Sequence, residues 1–218
     1  MSASVVAPSL SGVVREPIQA RSKATFERIL QAGIEVLMTD GLPGMNTNRV
    51  AEVAGVNIAT VYAYFTNKES ILAFLARRFE DERATWLEQY AAELGISDGP
   101  TWEQWYSRSI DAMVRFRVAN PGSLAVRQAL IAMPELRDLD RWSTQRATEA
   151  NIAGLRRIAP KLTQAKARAI SHTYSVTVTA VLDEAFSQSP YDRAAIRELK
   201  QMIIAYLGSY LPPSRPRQ

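Results

Sequence analysis

GLPGMNTNRVAEVAGVNIATVYAYFTNKESIL, residues 41–72, is the stretch that decides the fold. Asn46 or Thr47 can cap a short helix that ends at Gly55, and Asn57 can cap a second short helix. Both helices carry an apolar inner side and a polar outer side. Two short helices joined by a tight glycine-containing turn form the helix-turn-helix arrangement, which we therefore predict here.

Helical periodicity continues on both sides of this stretch. Before it, an amphipathic helix begins at Arg21 and ends ahead of Gly41, and we expect residues 41–44 to form a turn. After it, a long helix begins at Lys68 and further apolar stripes follow. Residues 171–179 alternate and are rich in β-branched side chains, which locally favours a strand. A lone strand would have no partner in a helical chain, so we predict an all-α fold of about nine helices.

This pattern divides the chain into four parts. We predict a flexible N-terminal arm over residues 1–20, with folding back onto the body as the alternative. A three-helix helix-turn-helix unit follows over residues 21–67, then a larger C-terminal helical bundle over 68–211 and a tail over 212–218.

Charge does not by itself indicate a nucleic-acid partner. The 218 residues include 26 basic and 22 acidic side chains, a net charge of +4. This excess is spread evenly, because residues 15–78 and residues 79–218 each carry a net charge of +2. Evidence for DNA binding must therefore come from local pattern rather than from composition.

The residue inventory argues against several other classes of protein. The chain has no cysteine and one histidine, which excludes a disulfide framework, a thiolate zinc site and a metal site with two imidazoles. It lacks a nucleophile elbow, a P-loop and a dinucleotide fingerprint, so we predict no catalytic residues, no metal and no cofactor. For the same reason we predict that it is not an enzyme. It also lacks an apolar run of about 18 residues and a basic signal region, so we expect a cytoplasmic protein rather than a membrane protein.

The decisive stretch resembles the DNA-binding region of the tetracycline-repressor (TetR) family. The resemblance covers about residues 21–75. It is carried by Gly41, Val50-Ala51, Ala54-Gly55-Val56, Thr60-Val61-Tyr62, Tyr64-Phe65, Lys68-Glu69, Leu72 and the upstream segment Arg28–Ala32. Asn57 stands where the family often has Ser, and Ala63 where it often has a polar or larger residue. The resemblance implies a DNA-binding transcriptional regulator, most commonly a repressor.

Candidate DNA contacts lie on the two short helices. With Ile58, Val61 and Phe65 inward, we expect the outward residues to be Asn57, Ala59, Thr60, Ala63 and Tyr64. Ala59 and Thr60 are small enough to approach base edges closely. The resemblance implies phosphate or base contacts from Thr47, Asn48, Thr60, Tyr62, Tyr64 and Lys68. The plainer alternatives are that Tyr62 belongs to the core, that Thr47 only caps a helix, that Thr60 is an ordinary first-turn residue and that Lys68 is simply solvated.

The resemblance also implies a small-molecule effector site in the C-terminal bundle. Candidate lining residues are Trp86, Tyr90, Trp105, Met113, Phe116, Met133, Trp142 and His172. The Ser and Thr residues around His172 can form a polar wall or simply bond back to helix carbonyls. The alternative for each aromatic or methionine is an ordinary core position.

The same resemblance implies an oligomeric state and a DNA partner. We expect a homodimer through the last two helices, residues 163–188 and 192–210, facing a palindromic double-stranded DNA operator. Two other functions stay open from sequence alone: a non-specific architectural DNA-binding protein, and a ligand-binding bundle whose DNA unit is vestigial.

Overall fold

Ten α-helices account for most of the described chain. The computed structural model describes residues 12–14, 17–93 and 99–213, without the side chains of residues 86–93. The helices are α1 Ala20–Thr39, α2 Gly41–Gly44, α3 Thr47–Ala54, α4 Ile58–Tyr62, α5 Lys68–Glu93, α6 Trp102–Ala119, α7 Gly122–Ala132, α8 Arg137–Ile158, α9 Gln164–Ala185 and α10 Arg193–Gly208. A 3₁₀ turn at Pro134–Leu136 joins α7 to α8.

The all-α prediction is confirmed. The count is one helix higher than the sequence indicated, because residues 41–44 form the single helical turn α2 rather than a non-helical turn. Residues 171–179 lie inside helix α9, so the rejection of a strand is confirmed as well. The four-residue spacing of Ile170, Tyr174, Val178 and Leu182 puts one buried stripe along that helix.

Side-chain caps define the ends of the short helices. The Asn46 side chain accepts a hydrogen bond from the Arg49 amide at 2.9 Å, and that of Asn57 accepts one from the Ala59 amide at 2.8 Å. Helix α3 ends at Gly55, whose φ of 61° is the left-handed conformation that glycine adopts without a Cβ penalty. Gly55 and Asn57 therefore fix the turn between α3 and α4, and Asn46 fixes the start of α3.

The described residues group into two compact units that are each discontinuous in sequence. One combines the described residues up to 80 with residues 120–142, and the other combines 81–119 with 143–213. The first unit therefore contains α1 to α4, the start of α5 and all of α7. The division into functional domains at residue 67 stays a prediction.

Aromatic packing holds the first unit together. The Phe26 ring of α1 stacks on Phe65 with ring centres 5.1 Å apart and meets the edge of Phe74 at 5.0 Å. Helix α1 also packs against α3 and α7. Gly122 of α7 lies so close to Ile34 of α1 that a Cβ there would sit 2.3 Å from a methyl carbon.

The second unit is built from α6, α8, α9 and α10 with the C-terminal part of α5. Its core includes Trp105, Tyr106 and Leu155, all nearly inaccessible to solvent. The rings of Tyr106 and Tyr174 meet edge to face at 4.9 Å. Among the described helices, none is long and apolar enough to cross a membrane.

Candidate nucleic-acid interface and ligand cleft

The turn between α3 and α4 is held by an arginine from α1. The Arg28 guanidinium donates to the carbonyl oxygen of Ala54 at 2.8 Å and to that of Gly55 at 3.0 Å. These carbonyls belong to the end of α3, where no further helical turn supplies a donor. Sequence reasoning quoted Arg28 within the family resemblance but assigned it no role. Arg28 is exposed on α1, directly before the buried Ile29, so nothing local in the sequence indicated a contact to residues 54–55.

The outer side of α3 and α4 carries most of the predicted DNA-contact residues. Asn48, Asn57 and Ala59 are exposed, and Thr47, Thr60 and Lys68 are half-buried. The predicted inner residues Val61 and Phe65 are fully buried. The structure thus brings small and polar side chains together on one accessible face while the apolar side faces α1.

Tyr62 joins the two helices on this face. Its side chain is 49% exposed, so it is not a core residue. Its hydroxyl lies 3.2 Å from the Thr47 hydroxyl in a hydrogen bond between α4 and α3. Either oxygen can donate in this bond, so both hydroxyls remain able to interact with a further polar group.

The expectation that Tyr64 points outward is wrong. The side chain is 8% exposed, and its ring meets the edge of Phe26 at 5.4 Å. The physical reason is that α4 ends at Tyr62, so residue 64 no longer follows the helical direction assumed from sequence. The Tyr64 hydroxyl instead donates to the Ser22 carbonyl at 3.4 Å.

Arg49 is occupied by carboxylates of the same unit. Its guanidinium forms an ion pair with Asp40 at 2.8 Å and with Glu52 at 3.0 Å. The hydrogen bond from Arg49 lowers the pKa of Asp40, and the same contact raises the pKa of Arg49. These ion pairs tie the Arg49 side chain to Asp40, which follows α1, and to Glu52 on α3 itself.

The described part of the N-terminal arm folds back beside α4. Residues Gly12–Val14, here called the N-terminal strap, pair with residues 64–66. The Val14 amide donates to the Tyr64 carbonyl at 2.8 Å, and the Thr66 amide donates to the Gly12 carbonyl at 2.9 Å. Gly12 has a φ of 81° and lies against Thr66, which together require glycine. The remaining arm residues, 1–11 and 15–16, lie outside the described residues.

A narrow cleft opens within the second unit. It encloses about 390 Å³ of space between atoms, part of it open to solvent. Its apolar lining consists of Trp105, Met113, Ala147, Ala150 and Val178. Its polar lining consists of Arg83, Asn151, Tyr174, Ser175 and Thr179. Only about 20 Å³ of this space can hold the centre of a water molecule, so a ligand of more than a few atoms requires side chains to move apart.

Only part of the predicted ligand set lies at this cleft. Trp105 and Met113 line it, whereas Phe116 is buried elsewhere in the second unit. Met133 and Trp142 belong to the first unit, where both are buried, and Arg77 stacks over the Trp142 ring at 4.7 Å. The side chains of Trp86 and Tyr90 lie outside those described.

His172 also lies away from the cleft. It is exposed on α9, because it precedes Tyr174 by two residues and is rotated about 200° from it around the helix. Of the nearby Ser and Thr residues, Ser175 and Thr179 line the cleft. Arg83, Asn151 and Tyr174 were missed, since a polar residue on a long helix is usually solvated and nothing local in sequence marks an exception.

The hydrogen bond between Tyr174 and Ser109 decides whether Tyr174 can donate to a ligand in the cleft. The Ser109 hydroxyl donates to the Tyr106 carbonyl at 2.8 Å, so the Tyr174 hydroxyl, 2.8 Å from Ser109, must donate to that serine. Burial raises the pKa of Tyr174 to about 12 and raises the pKa of Tyr106 further. Tyr174 therefore stays neutral at physiological pH and can only accept a bond from a ligand.

Comparison with known proteins agrees with this fold. Residues 29–74 match the model for bacterial regulatory proteins of the tetR family, and residues 101–207 match that for the tetracyclin repressor-like C-terminal domain. The chain belongs to the TetR family of transcriptional regulators.

Individual relatives point the same way. The chain is 33% identical to the uncharacterized HTH-type transcriptional regulator TtgW of Pseudomonas putida over 43% of this chain and 66% of TtgW. Sequence matches span 37–66% of the lengths of the curated relatives. A TetR-family regulator from Streptomyces coelicolor superimposes with a TM-score of 0.63 at 24% identity, over 86% of this chain and 99% of that one. SmeT, repressor of the Stenotrophomonas maltophilia efflux pump SmeDEF, superimposes with a TM-score of 0.68 at 18% identity, over 88% and 93%.

Proposed function

We propose that this protein is a homodimeric repressor that binds a palindromic DNA operator through α3 and α4. The observation that carries the proposal is the accessible face formed by Asn48, Asn57, Ala59 and Tyr62. The Thr47–Tyr62 bond joins its two helices, and Arg28 holds the end of α3. Short polar side chains on a helix are suited to base edges, and hydroxyls and a lysine such as Lys68 are suited to phosphates.

The proposed dimer uses α9 and α10. Each helix exposes a large apolar side chain to solvent. Val176 of α9 is 45% exposed, and Met202 of α10 is 47% exposed. Two copies of this helix pair can bury those side chains in a four-helix contact. A two-fold axis through the contact gives two α4 helices that read a palindrome.

The proposed regulation is release from DNA by a small molecule bound in the cleft. Support comes from the cleft itself and from SmeT, which is a repressor and is also known as a complex with triclosan. Helix α5 begins beside α4 at Lys68 and carries Arg83 into the cleft lining. A ligand that binds one conformation of α5 more tightly shifts the population toward it and so changes DNA affinity. Such a function belongs to the cytoplasm, where the operator lies, and requires no enzymatic step.

The test is fluorescence anisotropy with duplex DNA from upstream of the coding sequence, against random duplex, across a salt series. We expect a preference of about 10³ or more for the specific duplex at physiological salt. Lys68→Ala should weaken binding to both duplexes and reduce the salt slope by about 1, whereas the exposed Lys161→Ala should change neither.

Two results would contradict the proposal. Equal weak binding to every duplex, including genomic fragments from the whole neighbourhood, would favour an architectural protein. No binding even at low salt would favour a ligand-binding bundle without DNA function.

A further inference from the structure

The N-terminal strap lies against the short segment that leads from α4 into α5. Residues 63–67 form this segment, between the end of one helix and the start of the next. Its Tyr64 carbonyl accepts a hydrogen bond from the Val14 amide at 2.8 Å. Its Thr66 amide donates to the Gly12 carbonyl at 2.9 Å. The strap thus supplies partners to two backbone groups that belong to neither helix.

The same segment is anchored in the core of the first unit. Phe65 is fully buried, and its ring stacks on Phe26 with ring centres 5.1 Å apart. Val13 of the strap is half-buried and lies directly opposite Phe65 in the antiparallel bridge. The chain that leaves α4 is therefore held by the core through a side chain and by the strap through its backbone. Both contacts limit the orientations that α4 can take.

The strap also lies against the first turn of α5. A Cβ on Gly12 would lie 2.4 Å from the Thr66 hydroxyl oxygen and 3.1 Å from the Ser70 Cβ. Ser70 is buried, its amide donates to the Asn67 side chain at 2.8 Å, and its hydroxyl donates to the Asn67 carbonyl at 2.7 Å. These bonds cap the start of α5. Three residues of the strap thus meet both the chain that leaves α4 and the cap of the helix that follows.

We propose that the N-terminal strap is a positioning segment for operator recognition, which holds α4 in the orientation that base contacts require. This inference rests on the DNA-binding role proposed above. It adds to the DNA-binding unit three residues that the sequence assigned to a flexible arm. The strap consists of Gly12, Val13 and Val14, so it offers no charged side chain to a phosphate.

The proposed role affects specific binding more than non-specific binding. Hydrogen bonds to base edges depend steeply on distance and angle, so they require a fixed α4. A lysine such as Lys68 reaches a phosphate from many orientations, because its side chain is a flexible chain of four carbons. Contacts of that kind supply the binding that any duplex receives. Loss of the strap should therefore lower the preference for the operator and leave affinity for random DNA in place.

The test removes one backbone hydrogen bond from the strap. Val14→Pro eliminates the amide that donates to Tyr64, and a proline at this position favours an extended residue 13, as the bridge requires. The Val14 side chain is 57% exposed, so its loss costs little packing. Val14→Ala is the matched control, since it trims the same side chain and keeps the amide.

The full-length variants are compared by fluorescence anisotropy with operator and random duplex across a salt series, after circular dichroism has shown that they are folded. Val14→Pro should weaken operator binding by at least about fivefold, the factor that corresponds to one hydrogen bond. Its affinity for the random duplex and its salt slope should be unchanged, and Val14→Ala should match the wild type throughout. Amide hydrogen exchange over residues 58–66 should be faster in Val14→Pro.

Gly12→Ala is the second strap variant, because its methyl group displaces the strap from Thr66. It should show the same selective loss, and it decides the matter if Val14→Pro does not fold. Gly208→Ala, which adds a methyl group in open space, should bind both duplexes as the wild type does.

Three results overturn the inference. An equal fall in affinity for operator and random duplex would show lost folded protein or a lost phosphate contact instead of a misplaced α4. Unchanged operator affinity in both strap variants, with a clear operator preference in the wild type, overturns this inference and leaves the repressor function standing. No operator preference in the wild type overturns the repressor function and this inference with it.

Discussion

Two tyrosines separated by one residue should respond to mutation in opposite ways. Tyr64 packs edge-on against Phe26 and is 8% exposed, whereas Tyr62 is 49% exposed and contacts Thr47. Removing a buried aromatic ring costs about 3–5 kcal/mol, so Tyr64→Ala should lower the free energy of unfolding by about that amount. Loss of operator binding in this variant would then reflect unfolding of the unit rather than a lost DNA contact.

The conservative variants separate the two roles. The Tyr64 hydroxyl bond to the Ser22 carbonyl is long at 3.4 Å, so Tyr64→Phe should cost about 0.5 kcal/mol or less and leave operator affinity unchanged. Tyr62→Phe removes an exposed hydroxyl, so it should be equally mild for stability. It should weaken operator binding by about fivefold, the value of roughly 1 kcal/mol for one hydrogen bond.

Urea unfolding followed by circular dichroism gives the stabilities, and fluorescence anisotropy with the operator duplex gives the affinities. If Tyr64→Phe weakens DNA binding as much as Tyr62→Phe while stability is unchanged, the assignment of Tyr64 to the core alone is contradicted. That outcome would mean that the Tyr64 hydroxyl reaches DNA and that the chain beyond α4 rearranges on binding.

Three further predictions concern contacts outside the predicted sites. Arg28→Gln should lower the free energy of unfolding by about 1–2 kcal/mol and weaken operator binding several-fold in the same anisotropy assay, because the end of α3 loses its donors. Gly12→Ala should destabilise the protein by at least about 1 kcal/mol in urea, since φ is positive and a Cβ would lie 2.4 Å from the Thr66 hydroxyl oxygen; Gly208→Ala, with open space around it, should not. Burial raises the pKa of Tyr174 to about 12, so its contribution to stability is complete below about pH 10, where an unfolded tyrosine ionises, and is lost from there toward pH 12. Tyr174→Phe should make alkaline unfolding less steep, and an unchanged pH profile would contradict this.

The helix-turn-helix could be predicted from sequence because its helix ends are set by neighbouring residues. Asn57 caps α4 and Gly55 ends α3. Both effects depend on neighbouring residues in the sequence and on no tertiary contact. The helical state of residues 171–179 was predicted despite their β-branched composition, because a strand needs a partner that the chain does not offer.

What escaped prediction depends on distant contacts. The direction of Tyr64 depends on the helix ending two residues earlier, and helix ends are the least regular part of a periodic pattern. The cleft combines Arg83, Asn151 and Ser175 from three helices that are far apart in sequence. Aromatic composition named Trp105 and Met113 but also Met133 and Trp142, because burial in a core and exposure to a ligand demand the same residue types.

The discontinuity of the first unit limits how this regulator can be recombined with others. Helix α7 packs on α1 through Gly122, where even a methyl group would collide with Ile34, yet α7 lies about 80 residues further along the chain. A chimera that exchanges residues 1–67 for those of another regulator brings a new α1 surface against an unchanged α7. The unit that contains the helix-turn-helix is therefore not formed by the N-terminal segment alone. A transplant that keeps its native packing must carry residues 120–142 along with the N-terminal segment.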